Sequence, residues 1–302
     1  MALVVESKSE AGWNSEVDPN PTLVMTKPTG LAEGELMVMC AVQYGDDASV
    51  TLTLTGWTSL QNPTSSGSAT SATITIHALY KIASAADAAA SDFTFSSNFD
   101  GTGQQFLYGT LLRISGNTPT GNIKSTSGTD LNKGTGSASV GSLSVTPDYN
   151  NSLVIAVLGG ADLNNGTGTW SAITINGTNP TWTEQTDTST NQASDGYFLV
   201  ATATQAAAAQ ITTLSATLSV SAGDYVGIVV TAEPQLNASV TLDALALTAT
   251  VNSPTATGGA NVTLDQVALT ATPNDVTAAE ATPKWSNTDK SATSTFTNTD
   301  KS

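Results

Sequence analysis

Five landmarks occur twice in this chain, in the same order and about 120 residues apart, and this duplication limits the fold more than any other feature. In the first half they are the apolar run 36–40, the turn Gly56-Trp57-Thr58, the stretch 77–83 leading into alanines, and the runs 92–96 and 108–114. In the second half they are 153–157, Thr181-Trp182-Thr183, 197–201 leading into alanines, 214–218 and 225–230. A chain that repeats its landmarks in order builds the same unit twice.

The units are predicted to be made of strands. Runs rich in Thr, Val, Ile and aromatics, several with two-residue alternation, cover 49–55, 72–82, 93–96, 106–114, 153–158, 197–204 and 225–231, with Gly, Asn, Pro and Ser clusters between them. Short strands at this spacing read as sandwiches or barrels. Helical pattern is confined to two short Ala-rich stretches, 84–91 and 205–210, neither long enough to stand alone. The expectation is an all-β chain of two tandem, related β-sandwich units of jelly-roll or immunoglobulin-like type. Unit 1 spans 1–117, a Gly/Ser/Thr-rich linker spans 118–141, unit 2 spans 142–234, and a repetitive tail spans 235–302.

The tail has its own periods. Residues 240–250, Val-Thr-Leu-Asp-Ala-Leu-Ala-Leu-Thr-Ala-Thr, return 22 positions later with two substitutions as 262–272. A shorter repeat, Trp285-Ser286-Asn287-Thr288-Asp289-Lys290-Ser291, returns from Phe296 to Ser302. One copy of either unit is too small to bury its own apolar residues. Leu245, Leu247, Val267, Leu269, Trp285 and Phe296 are therefore the predicted assembly contacts, docking on the body, on a neighbouring subunit or on copies of the tail.

Charge narrows the partners. The formal net charge is −16, and no Lys or Arg lies between Lys133 and Lys284. Nucleic-acid affinity rests on cations that displace counterions from phosphate, and anionic lipid calls for the same cations. Neither nucleic acid nor membrane is an expected partner. Residues 1–6 lack the basic and apolar regions of a secretory leader, and no apolar run reaches 18 residues. Thr makes up about one residue in six, far above ordinary usage. A surface solvated by hydroxyls and amides, with a single cysteine and no export signal, suits a protein that folds and assembles in a reducing cytosol and leaves by lysis.

Resemblance points the same way. The pattern Gly34-Glu35-Leu36-Met37-Val38, Gly56-Trp57-Thr58, Leu79-Tyr80-Lys81-Ile82-Ala83 and Phe93-Thr94-Phe95 resembles β-sandwich virion proteins of tailed bacteriophages. Residues 151–156 and 201–207 resemble their continuation, and the Trp285/Phe296…Asp-Lys-Ser endings resemble short terminal repeats of such proteins. The resemblance implies a non-enzymatic structural protein of the virion surface, folded in the host cytoplasm: a capsid decoration, head-fibre or tail-associated subunit. Its partners would be other virion proteins and copies of itself in a homo-oligomer. Two alternatives are a host-recognition protein that binds cell-surface glycan through loops such as 159–171, and a self-assembling extracellular filament or adhesin.

Catalytic chemistry finds little support. His77 is the one histidine, so any His-dependent triad or metal site would hang on it alone. Strand alternation places it with Thr73, Thr75, Leu79 and Lys81, where a solvated or hydrogen-bonded role is expected. Cys40, the one cysteine, sits in an apolar run and reads as a small buried hydrophobe. Asp162-Leu163-Asn164-Asn165-Gly166 spaces oxygen ligands almost as a calcium loop does but lacks the closing Glu, so an Asx turn is the better reading. No catalytic residue, metal or cofactor is expected. Trp57 and Trp182, at equivalent places in the two halves, read as core. Trp170, in a Gly/Thr-rich loop, reads as a possible surface contact.

Overall fold

β-Branched runs broken by Gly, Asn and Pro favour antiparallel pairing, and the computed structural model is made almost wholly of antiparallel strands. The structure describes residues 2–15, 20–45, 50–62, 64–66, 73–99, 105–117, 122–130, 135–162, 167–190, 195–222, 224–234, 247–249 and 269–271. The chain divides into a body, Met1–Asn237, and a tail, Ala238–Ser302.

The first half of the body contains β1 (Val4–Ser15), β2 (Thr22–Thr26), β3 (Leu36–Gly45), β4 (Leu52–Thr53), β5 (Thr58–Gln61), β6 (Thr64–Ser66), β7 (Thr73–Ile82), the helix α1 (Ala85–Ala89), β8 (Asp92–Ser97) and β9 (Gln105–Ser115). A wide sheet runs β1-β9-β3-β7-β5, with β6 also on β7, and a narrow sheet runs β2-β8-β4. Leaving out β6, the first of eight strands pairs with the eighth, the second with the seventh and the third with the sixth. These are pairings of a jelly roll; the fifth strand differs by joining the sixth.

The second half contains β10 (Ile123–Asp130), β11 (Thr135–Val140), β12 (Ser152–Asp162), β13 (Trp170–Ile175), β14 (Thr183–Thr190), β15 (Asp195–Gln205), β16 (Leu214–Ala222) and β17 (Asp224–Ala232). Its sheets run β10-β17-β12-β15-β14 and β11-β16-β13, which is the order of the first half strand for strand. The linker expected over 118–141 is corrected by this order, because β10 and β11 lie within it. They are the first and second strands of the second sandwich. Both are edge strands of small, hydroxyl-rich residues, with only Ala138 and Val140 fully buried among their described side chains, so their hydrophobic period is faint.

The two wide sheets pack face to face. One apolar core joins Val38, Cys40, Val42, Ile74, Ile76 and Leu112 of the first half to Ile155, Val157, Phe198, Val200, Ile228 and Val230 of the second. The halves are thus fused into one four-layer stack, narrow–wide–wide–narrow. Each such side chain taken from water contributes about 1.5–3 kcal/mol, so this shared layer is a large fraction of the body's stability. β7 lies over β17 and β12, while β3 meets β12 and β15. At one rim Glu10 Oε1 accepts from Thr186 Oγ1 at 2.6 Å, and Thr186 Oγ1 lies 2.7 Å from Thr110 Oγ1. At the other rim Ser127 Oγ donates to Gln61 Oε1 at 2.9 Å. β1 therefore faces β14 while β5 faces β10. Since β1 is equivalent to β10 and β5 to β14, the halves are related by a pseudo-twofold axis near the two central strands, like the partners of an isologous dimer.

Central strands β3 and β12 are covered on both faces, which explains why 36–42 and 153–158 are continuous apolar runs without alternation. Two equivalent glycines let the narrow sheets approach. A Cβ at Gly109 would lie 2.6 Å from Leu23 Cδ2 of β2, and one at Gly227 would lie 2.9 Å from Val140 Cγ2 of β11.

Only one of the two Ala-rich stretches is a helix. Ser84 caps α1 in a reciprocal box with Asp87, whose Oδ1 also receives Lys81 Nζ at 2.7 Å. Residues 206–210 have no such cap and are not helical. Within the tail, β18 (Leu247–Ala249) and β19 (Leu269–Ala271) pair antiparallel.

Candidate functional site

The reactive side chains singled out in the sequence are inside. His77 is 1% exposed, on the face of β7 that the narrow sheet covers, opposite Ala41 of β3. The solvated or hydrogen-bonded histidine expected there is corrected: its Nε2 is buried without a hydrogen-bond partner among the described residues. Burial pushes its pKa down to about 3, so the ring is neutral and closed to substrate. Gln43, one pleat further along β3, accepts from Ser97 Oγ at 2.9 Å, while its Nε2 has no partner among the described residues. Cys40 is fully buried in the shared core, and burial pushes its thiol up to about 12, far from the thiolate that nucleophilic attack needs.

Trp57, Trp170 and Trp182 are packing residues. Trp57 meets Phe93 and Phe95 edge-on, with ring centroids 5.9 and 5.0 Å away, and Trp182 packs half-buried against the interior of the second sandwich. Trp170 is corrected from a surface contact to a core residue. It is 4% exposed and T-shaped on Tyr225 at 5.8 Å. It opens β13, and the first residue of that strand points between the sheets whatever the polarity of the loop before it.

Two carboxylate arrangements went unnoticed in the sequence. Asp187 Oδ2 accepts from Trp170 N at 2.9 Å, and burial, aided by the nearby charge of Glu184, pushes its pKa up to about 6. It holds the start of β13 against β14. Where the body ends, Glu233 is 1% exposed and its Oε1 accepts from Asp148 N at 3.0 Å. Asn122 Nδ2 donates to both carboxylates, and Lys124 Nζ pairs with Asp148 while donating to Thr146 O at 3.1 Å. The hydrogen bond from Lys124 lowers the pKa of Asp148, whereas burial, with Asp148 beside it, raises that of Glu233. The group forms a clasp between the 141–151 connection and the end of β17. Residues 85 apart in sequence gave no local pattern by which to find it.

One open groove is uncharged. This groove of about 690 Å³ on the second sandwich is lined by Val154, Ile175, Asn179, Pro180, Ala203 and Ala207, with Asn, Gln and Thr around them and no titratable side chain. It offers apolar contact and amides, not acid–base chemistry. The possible calcium loop falls outside the described residues beyond the backbone of Asp162. Among the predicted assembly contacts, Leu247 and Leu269 occupy the first positions of β18 and β19. Leu245, Val267, Trp285 and Phe296 lie outside the described residues. No protein-family model, curated protein or solved structure matches the chain.

Proposed function

We propose that this chain is a non-enzymatic structural protein of a virus-particle surface, a decoration, head-fibre or tail-associated subunit held to the particle through its C-terminal tail. The observation that carries this reading is a division of labour. The body spends its histidine, cysteine and described tryptophans on packing, and its two halves close on one another across a continuous core. The tail forms a separate unit, and its repeats pair with each other. A stiff body with an adhesive, repetitive end is what a surface subunit needs. The burial of Trp170 removes one exposed ring from the 159–171 region through which the glycan alternative would act.

Imaging of particles labelled with antibody against the body tests the proposal; label on every particle at a regular position is the expected result. The double variant Trp285→Ala, Phe296→Ala should co-sediment with particles at least about tenfold less than the parent while its circular dichroism is unchanged, because the two proposed aromatic anchors are lost from each copy. Particles without label, or equal co-sedimentation of the variant, would sink the reading.

A further inference from the structure

We infer that the 22-residue repeats are an exchangeable strand pair through which one copy of this chain joins another; the inference rests on the tail being the assembly element. Thr248 pairs with Thr270, the same position of the repeat 22 residues on. The flanking pairs, Leu247 with Ala271 and Ala249 with Leu269, are one pairing seen from both sides. The axis that relates the two strands is therefore also the operation that relates the two repeat copies. Residues 246–250 and 268–272 are identical, Ala-Leu-Thr-Ala-Thr. A strand 247–249 thus meets the same partner, in the same register, whether it pairs with its own 269–271, with 269–271 of a second chain or with 247–249 of a second chain.

Neither specificity nor stability holds the pair closed within one chain. Register is ordinarily fixed by differences between strands, and here there are none. A two-stranded ribbon of three residues is marginal by itself, and among the described residues no third strand joins it. Its advantage is the connection of residues 250–268, worth an effective concentration on the order of millimolar. Neighbouring subunits on a particle present their tails to each other at comparable concentration, so exchange costs little there and each chain offers two equivalent strands for it.

The test uses the full-length protein with Thr248→Cys or Thr270→Cys. Cys40 is buried and its thiol pKa is pushed up to about 12, so it stays out of the exchange. Paired Cα atoms of an antiparallel ladder lie within disulfide range. Under mild oxidation at about 1 mM, each single variant should form covalent dimers at least about tenfold faster than the control Thr257→Cys, which lies in the connection between the two strands. The double variant Thr248→Cys, Thr270→Cys should close within one chain at about 10 µM and shift to dimers at about 1 mM. Dimers no faster than the control's, or a double variant that closes internally at both concentrations, would overturn the exchange. The readout needs no particle, so a failure here leaves attachment to the virion standing, and a failure to attach leaves the exchange standing.

Discussion

Apart from the extra strand β6 on β7, the two sandwiches share their strand pairings but differ at several interior positions. Registers on the central strands match Leu36 to Leu153, which makes His77 the counterpart of Leu199, Gln43 of Gly160 and Thr75 of Tyr197. The first interior thus carries Gln43 and His77 where the second has Gly160 and Leu199, while both keep buried indole nitrogens without partners among the described residues, Trp57 in the first and Trp170 and Trp182 in the second. Ion pairs differ as well. Lys81–Asp87 and the two-pronged Arg113–Glu35 pair sit on the first half, while the second has Lys124–Asp148. What both halves keep is the wide-sheet face toward the other half, a tryptophan before the fifth strand, and the glycine under the narrow sheet. The comparison teaches that sheet order is set by the shared interface and by close approach, and tolerates much elsewhere.

The sharpest way to break the comparison is at the shared layer. Val157→Asp places an unpaired carboxylate between the wide sheets and should cost more than about 4 kcal/mol, most of an ordinary domain's stability. Circular dichroism and tryptophan fluorescence should then lose both halves in one transition. A first half that melts unchanged would mean that the sandwiches fold independently.

Next come the equivalent glycines. Gly109→Ala and Gly227→Ala should each cost about 1–3 kcal/mol by overpacking against Leu23 and Val140. Matched losses in urea titrations support the equivalence; a penalty in one half alone would break it.

A smaller, opposite effect is expected where the halves differ. Making the first interior resemble the second with His77→Leu should raise stability at neutral pH by about 1–2 kcal/mol, since an unsatisfied buried polar group is removed. Burial holds the folded-state pKa of His77 near 3, below its ordinary 6.5. Between those values the unfolded chain binds a proton that the folded chain excludes, so stability is full above about pH 6.5 and falls as pH drops, by up to about 1.4 kcal/mol per pH unit. His77→Leu should flatten that part of the curve. A parent and variant with parallel pH profiles would show that His77 is hydrated in solution.

The smallest effect tests equivalence across the shared core. Cys40 stands where the second half has Val157, and Cys40→Val should change stability by less than about 1 kcal/mol. A larger loss would mean that the two sides of the core are packed differently.

Local sequence marked most of the central strands, the recurrence of landmarks in the two halves, and where the tail begins its own repeats, because two-residue alternation, turn residues and recurring landmarks are short-range properties. It also marked β3 and β12 as the innermost strands through their unbroken apolar runs. Tertiary structure decided the rest. Alternation assigns a side chain to a face but does not say what covers that face: the narrow sheet covers His77, and the wide sheet covers Trp170 through Tyr225. Small hydroxyl residues in β10 and β11 carry too little hydrophobic period to announce a strand, and only pairing with β17 and β16 gave them one. The pairing of Asp148 with Glu233, like the stacking of the wide sheets, joins residues far apart in the chain, and contacts of that range exist only once the sheets have packed.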